Sequence, residues 1–122
     1  EADDFFTGMF DTALEEDEII ESISFSKPRN ANYIKFPNPA SRYAMVGVFV
    51  SQFDDGVRVA VTGAGEGGVF RHEEMESALS SNFSADSLSS INIASDGLIS
   101  DLHASSEYRA NLIKEMTKRA VA

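Results

Sequence analysis

The stretch SDLHASSEYRANLI, residues 100–113, holds the residue types of a serine hydrolase triad at alternate positions: Asp101, His103 and Ser105. A triad needs the base within hydrogen-bond reach of the nucleophile and oriented by the acid. On an extended chain these side chains run parallel, and on a helix they spread around the axis, so neither conformation makes them converge. We therefore interpret the stretch as a helix start, with Ser105 as N-cap and Asp101 accepting from loop or helix amides.

A second motif with chemical potential is G-x-G-x-x-G, formed by Gly63, Gly65 and Gly68. In a dinucleotide-binding fold the helix opens within this motif, so that its N-terminus faces the pyrophosphate. Here Val69 and Phe70 separate the last glycine from the next helical pattern, and the preceding strand is predicted to lie in a tight hairpin. We expect a glycine-rich connecting loop, with a nucleotide-binding domain as an alternative.

His72, Glu73 and Glu74 are residue types that bind metal ions. Consecutive residues of a helix point in different directions, so they do not form a ligand set if RHEEMESAL is helical, as its pattern indicates. We expect His72 and Glu76 to belong to a helix start with a solvated face. Cysteine is absent, which excludes disulfides and thiolate metal sites within this chain.

Tyr33 and Lys35 alternate with Ile34 and Phe36 in the stretch NYIKF. On a strand this pattern places the aromatic ring and the cation on one face and the apolar pair on the other. One interpretation is an exposed tyrosine beside a lysine. The other is a ligand-facing pair, in which the ring lies against a planar ligand and the cation lies near a negative charge.

Strand patterns precede helix patterns along the chain. The β-branched stretches YAMVGVFVSQF and VRVAVTG flank DDG, which predicts a hairpin because glycine tolerates positive φ in the turn. YIKF, closed by PNPAS, is a further strand candidate. The period of two in EDEIIESISF predicts another strand.

Three helix patterns follow: RHEEMESAL, SADSLSSINI with Ser84 as N-cap, and SSEYRANLIKEMTKRAV. In the last, residues recurring every four positions predict a buried face. They are Tyr108, Leu112, Met116 and Ala120. This order predicts an α+β fold, in which an antiparallel sheet of three to four strands carries about three helices packed on one face.

Charge is distributed unevenly along the chain. The net charge is −10, and residues 1–26 hold nine of the twenty acidic residues and none of the ten basic ones. The negative charge argues against nucleic-acid binding. This change in charge composition after residue 26 predicts that residues 1–26 and 27–122 belong to different structural units. The first segment also holds four large apolar residues, which predict that it packs against another part of the protein. They are Phe5, Phe6, Met9 and Phe10.

Several stretches, in this order, resemble the C-terminal domain of the FAD-binding medium subunit of aerobic carbon monoxide dehydrogenase and related molybdenum hydroxylases. They are ASRYAMVGVFV, VRVAVTGAGEGGVFR, MESAL and ISDLHASSEYRANLIKEMTKRAV, of which the SxEYR ending is most specific. FFTGMFDTALEEDEIIESISF resembles the last stretch of the flavin-binding domain of such subunits. The resemblance covers essentially the whole chain. It implies that residues 1–26 are the tail of the FAD-binding domain and residues 27–122 the C-terminal domain.

The resemblance implies a complex of three subunits. A large subunit holds the molybdenum cofactor, a small subunit holds 2Fe–2S clusters, and the medium subunit holds FAD, which passes electrons to an acceptor. The glycine-rich flavin-phosphate motifs of such subunits lie upstream of this domain, so we expect a fragment that is inactive alone. Carbon monoxide is the substrate that the resemblance implies. It also implies a cytoplasmic location, at or near the inner face of the membrane, and no apolar run here approaches the ~20 residues needed to span it.

In this family the start of the C-terminal domain comes close to the isoalloxazine ring, and an aromatic residue there can contact it. Tyr33 is the position that best matches, with Lys35 next to it, so the resemblance implies that both bind the cofactor. The alternative is a purely structural docking module that makes no contact with the flavin.

Overall fold

The structure is a computed structural model of the chain, and it describes residues 1–8 and 10–122. A small N-terminal unit comes first: α1 (Ala2–Phe5), β1 (Phe6–Gly8) and β2 (Asp11–Thr12). The two strands of this unit pair antiparallel. No helix or strand lies between Ala13 and Arg29.

The main sheet has four antiparallel strands in chain order: β3 (Asn30–Pro37), β4 (Ala44–Phe53), β5 (Gly56–Gly65) and β6 (Gly68–Arg71). Two α-helices and one 3-10 turn follow: α2 (Glu73–Ser81), the turn Ala85–Leu88 and α3 (Ser106–Val121). The predicted α+β fold with an antiparallel sheet is confirmed, and so is the β4–β5 hairpin around Asp54 and Asp55.

The core lies between one face of the sheet and the helices. Alternate residues of β4 and β5 point into it and are at most 2% exposed: Val46, Val48, Val50, Val57, Val59 and Val61. The helices place Met75, Leu79, Ile113 and Met116 against them. Fully burying each such side chain contributes about 1.5–3 kcal/mol. The apolar face of β4 and β5 therefore positions both helices.

Side chains of α2 protect the edge of β5 beyond the short strand β6. The Val59 amide donates to Glu76 Oε1 at 2.9 Å, and the Val57 amide donates to Ser80 Oγ at 2.9 Å. Residues four apart on a helix rise about 6 Å, and residues two apart on a strand about 6.8 Å, so the two spacings match closely. The amides that β6 leaves unpaired at this edge are thereby satisfied.

Two predicted elements differ from the structure. The helix expected over SADSLSSINI is a single 3-10 turn, because serine side chains there bond to nearby backbone and compete with helical bonding. Ser87 Oγ donates to the Asn82 carbonyl at 2.7 Å. Ser84 nevertheless caps the turn as predicted, accepting from Asp86 N. The strand expected over EDEIIESISF is absent, since a strand forms only against a partner strand and these residues pair with none.

The buried face of α3 begins one residue later than predicted. Tyr108 is 44% exposed and its ring packs edge-to-face with that of Phe36, whereas Arg109 is 3% exposed. The side chain of Arg109 turns inward because its guanidinium hydrogen-bonds to backbone carbonyls of the sheet. The predicted core positions Leu112, Met116 and Ala120 are confirmed.

Several large apolar residues of the N-terminal segment are exposed, although the ring of Phe6 packs edge-to-face against that of Phe5. Phe6 is half exposed and Phe10 fully exposed, while Met9 lies outside the described residues. Ile19, Ile23 and Phe25 are likewise exposed. None of the described helices is both long enough and apolar enough to cross a membrane.

Candidate functional site

Tyr33 and Lys35 lie on the face of the sheet opposite the helices, as the alternation predicts. Tyr33 pairs with Phe49 across β3 and β4, and the two rings are 45% and 41% exposed. Lys35 pairs with Gly47 and is exposed. Ile34 and Phe36, on the other face, pack against the core. The sheet therefore carries an aromatic surface with a cation beside it.

The ring of Tyr33 lies across the sheet over Gly47. A Cβ built on Gly47 would overlap the phenol of Tyr33 and would lie 2.6 Å from Thr62 Oγ1. The missing side chain is what lets the phenol approach the backbone of β4. One side of the ring is thus supported by the sheet, and its exposed part is available to a planar ligand.

The Lys35 ammonium is held by the loop between β3 and β4. Its Nζ donates to the Arg42 carbonyl at 3.0 Å. Arg42 has a φ of 66°, in the left-handed region that residues other than glycine rarely adopt. Asn38 stabilises this loop, because its Oδ1 accepts from the amides of Ala40 and Ser41 at 2.9 and 3.2 Å. The loop therefore holds the Lys35 ammonium by one hydrogen bond, while the side chain remains exposed.

The stretch with triad residues is a capped helix start, as predicted. Asp101 Oδ1 accepts from the amides of His103 and Ala104 at 2.9 and 3.0 Å, and Ser105 Oγ accepts from Tyr108 N at 3.3 Å. The pKa of Asp101 is lowered by these two amides first, and further by Arg109. Asp101 is thus bonded to backbone amides and to Arg109, Ser105 caps the helix, and the two form no triad with His103.

The glycine motif forms a hairpin and not the expected loop. Gly65 pairs with Gly68 around a two-residue turn, so the motif ends β5 and begins β6. Gly63 has a φ of 74°, and a Cβ there would strike the Ala44 carbonyl. Because no helix opens within the motif, it offers no phosphate site of the dinucleotide type.

His72 caps α2, since its Nδ1 accepts from Met75 N at 3.4 Å. The described residues contain no cluster of three side chains that could hold a metal ion. Glu76 was expected on a solvated face, and that was wrong: it is 8% exposed and accepts two bonds from Arg71, at 2.8 and 2.5 Å. Burial acts to raise the pKa of Glu76, but the bonds from Arg71 and Val59 N lower it on balance.

Sequence reasoning left Arg109 free to bond a neighbouring loop or subunit, but it identified neither the acceptors nor the burial of the side chain. Its guanidinium donates to the carbonyls of Met45 and Gly63 at 2.6 and 3.1 Å, and to Asp101 Oδ2 at 2.8 Å. Its Nε is buried without a hydrogen-bond partner. Two of the three acceptors are backbone oxygens, which every residue type has, so a sequence cannot identify them. The SEYR stretch was the only sequence feature that drew attention to Arg109.

Comparison with known proteins gives one informative match. The chain is 35% identical over 132 residues to the medium subunit of nicotine 6-hydroxylase from Paenarthrobacter nicotinovorans. The match covers 99% of this chain and 46% of that protein, so the chain spans about half the length of its relative. Neither a family model nor a solved structure gives a significant match. The resemblance drawn from the sequence is confirmed: the chain is a homologue of the medium subunit of a molybdenum hydroxylase.

Proposed function

We propose that this chain is part of the FAD-carrying medium subunit of a molybdenum hydroxylase, where it covers one side of the flavin and helps the subunits assemble. Within the subunit, residues 1–26 are the tail of the FAD-binding domain and residues 27–122 are the C-terminal domain. FAD would supply the redox chemistry, receiving electrons that originate at molybdenum on the large subunit and pass through the iron–sulfur clusters of the small subunit. The homology to a medium subunit supports this assignment.

The observation that carries the flavin contact is the surface formed by Tyr33 over Gly47. The phenol is supported from below by the sheet and is 45% exposed. Aromatic rings stack in offset or edge-to-face arrangements, which suits one wall of a site for a planar ring system. The residues therefore fit one side of an isoalloxazine, with Tyr33 orienting the ring and excluding water from that side.

Lys35 would place positive charge next to the same ring. Its ammonium already donates to the Arg42 carbonyl, which leaves other N–H donors for a ligand. A cation stabilises the more negative form of a neighbouring group. We therefore assign Lys35 to stabilising the reduced flavin and Tyr33 to positioning it.

The substrate of the complex is a separate matter. Carbon monoxide follows from the sequence resemblance, whereas the name of the matched relative points to nicotine for that protein. In our proposal substrate choice belongs to the molybdenum-containing subunit. The role of this chain would then be the same for either substrate, because it would belong to the path by which electrons leave through FAD to the acceptor.

Substitution of Tyr33 in the full subunit tests the flavin contact. We expect Tyr33→Ala to shift the flavin reduction potential and change its reoxidation rate, and Tyr33→Phe to retain most wild-type behaviour because the ring is kept. Val69→Ala, an exposed residue on the far strand β6, is the control. If Tyr33→Ala leaves both the potential and the reoxidation rate unchanged, the flavin contact is wrong.

Lys35→Gln gives an independent test. Removing the cation should make the reduction potential more negative, because the reduced flavin loses a stabilising charge. An unchanged or more positive potential would contradict the role of Lys35.

The alternative function is a docking module without flavin contact. The exposure of large apolar residues such as Leu102 and Tyr43 favours it. Deletion of residues 27–122 from the full subunit separates the two functions. Loss of complex formation with intact flavin chemistry would establish the alternative.

A further inference from the structure

Thr62 belongs to the same row of the sheet as Lys35. Lys35 pairs with Gly47 across β3 and β4, and Gly47 pairs with Thr62 across β4 and β5. Directly paired residues point to the same face of a sheet, so the partly buried Thr62 side chain lies on the outer face with Tyr33 and Lys35. The register between β5 and β6 shifts after Val61, and Thr62 has no paired residue on β6. We call Lys35, Gly47 and Thr62 the polar row.

Two hydroxyl groups meet over Gly47. The phenol oxygen of Tyr33 and Oγ1 of Thr62 both lie close to the point where a Cβ of Gly47 would stand, Oγ1 at 2.6 Å. Within the part of the chain that the structure describes, neither hydroxyl takes part in a hydrogen bond. Each can therefore donate to a ligand on this face. Thr62 thus places a hydrogen-bond donor at the margin of the Tyr33 ring.

The row next to the polar row is apolar on the outer face. It joins Tyr33 to Phe49 and Phe49 to Ala60, and we call these three residues the apolar row. Beyond Ala60 it ends at Arg71 on β6, whose guanidinium is bonded to the Glu76 carboxylate. The Tyr33 ring starts in the apolar row and its hydroxyl lies over the polar row. The surface around this ring therefore changes from apolar to hydrogen-bonding along the length of the phenol.

Stacking on Tyr33 alone would not fix how a planar ligand is turned within its own plane. In ligand sites the apolar and aromatic side chains supply contact area, whereas a few placed polar groups fix orientation. An isoalloxazine has an apolar dimethylbenzene end and a pyrimidine end with two carbonyl oxygens. The apolar row matches the first end, and the donors of the polar row match the second.

We propose that Thr62 is a positioning residue for the flavin, whose hydroxyl donates a hydrogen bond to a carbonyl oxygen at the pyrimidine end of the isoalloxazine. The dimethylbenzene end then lies toward Phe49 and Ala60. Lys35, in the polar row, is then nearest the pyrimidine end, which carries the negative charge of the reduced flavin. This inference rests on the proposed flavin contact of Tyr33 and extends it, because a second anchor fixes the direction of the stacked ring.

The test uses Thr62→Val in the full subunit within its complex, because valine keeps the branched shape and removes the hydroxyl. Infrared difference spectra of oxidised and reduced enzyme, with FAD labelled at its carbonyl carbons, should show one flavin carbonyl stretch at higher frequency, since that carbonyl loses its donor. The FAD dissociation constant should rise about three- to tenfold, as for one lost hydrogen bond. Thr62→Ser keeps the hydroxyl and should match wild type in both measurements. Ser77→Ala, which removes an exposed hydroxyl from α2, is the control and should change neither.

Several results would overturn the role of Thr62. Unshifted carbonyl stretches in Thr62→Val, together with a shifted flavin potential in Tyr33→Ala, would keep the flavin contact and reject the hydrogen bond. Weaker FAD binding with unshifted carbonyl stretches would assign Thr62 to packing beside the phenol, and so would equal effects of Thr62→Val and Thr62→Ser. If Tyr33→Ala changes neither potential nor reoxidation, the proposed flavin contact itself fails, and the role of Thr62 fails with it.

Discussion

Arg109 of α3 forms an ion pair with Asp101, with 2.8 Å between Nη2 and Oδ2. The arginine side chain is 4% exposed and the aspartate 39%, so the pair lies at the boundary of the core. The same guanidinium bonds to the ends of β4 and β5 through Met45 and Gly63. One residue therefore joins the terminal helix, the loop before it and the central hairpin.

Arg109→Met should lower the free energy of unfolding by roughly 2–4 kcal/mol, because the buried Met45 carbonyl and the partly buried Gly63 carbonyl lose their donor. The half-exposed aspartate places the effect toward the lower end of that range, since solvent screens its charge. Urea unfolding measures the change. Arg119→Met, at an exposed position of the same helix, should change stability little. Equal stability of the two variants would show that the buried bonds contribute nothing.

Glu76 should make stability depend on pH. Its folded-state pKa lies below the ordinary value of 4.5, because the bonds from Arg71 and Val59 N outweigh the opposing effect of burial. A lowered folded pKa gives a stabilisation that is present above pH 4.5 and is lost as the pH falls through the folded pKa. Glu76→Gln should therefore be less stable than wild type at neutral pH, and the difference should narrow in acid.

Urea midpoints measured at neutral pH and well below pH 4.5 check this expectation. Glu73→Gln, at an exposed position of the same helix, is the control and should show little difference at either pH. A Glu76→Gln deficit that stayed constant with pH would mean that the carboxylate charge is not what stabilises the edge of β5.

Gly63→Ala should destabilise the chain by roughly 1–3 kcal/mol, because a side chain at positive φ is strained and its Cβ would strike the Ala44 carbonyl. Gly67→Ala is the matched substitution in the same glycine-rich hairpin, since a Cβ there meets nothing within 4 Å. It should change stability by about 0.5 kcal/mol or less. Thermal or urea unfolding ranks the two, and a larger loss for Gly67→Ala would contradict the backbone geometry.

Local patterns predicted most of the fold because they are set by neighbours in sequence. The alternating valines of β4 and β5 define the hairpin and its buried face, and Ser105 caps α3 as its position implies. The bonds of Arg109 could not be predicted in the same way. Two of its three acceptors are main-chain oxygens 64 and 46 positions away, and any residue type provides such an oxygen.

In the candidate site, too, local sequence patterns predicted some features, whereas others depend on residues distant in sequence. Alternation correctly places Tyr33 and Lys35 on the outer face of β3. The support of Tyr33 by Gly47 depends on strand register, which a single strand pattern does not contain. The alternation of Ile19, Ile23 and Phe25 was equally regular, but an alternating pattern does not supply the partner strand that a sheet requires.

Gly47→Ala should therefore act through Tyr33. The added methyl group would displace the phenol and crowd Thr62 Oγ1, which lies 2.6 Å from the built Cβ. We expect a loss of roughly 1–3 kcal/mol in the free energy of unfolding. In a Tyr33→Ala background the loss should be smaller, because the phenol is gone and only the contact with Thr62 remains. A double-mutant cycle measures this coupling, and strictly additive effects would contradict the observed packing. In the full subunit, Gly47→Ala should also shift the flavin potential if Tyr33 contacts the ring, because it moves the phenol without removing it.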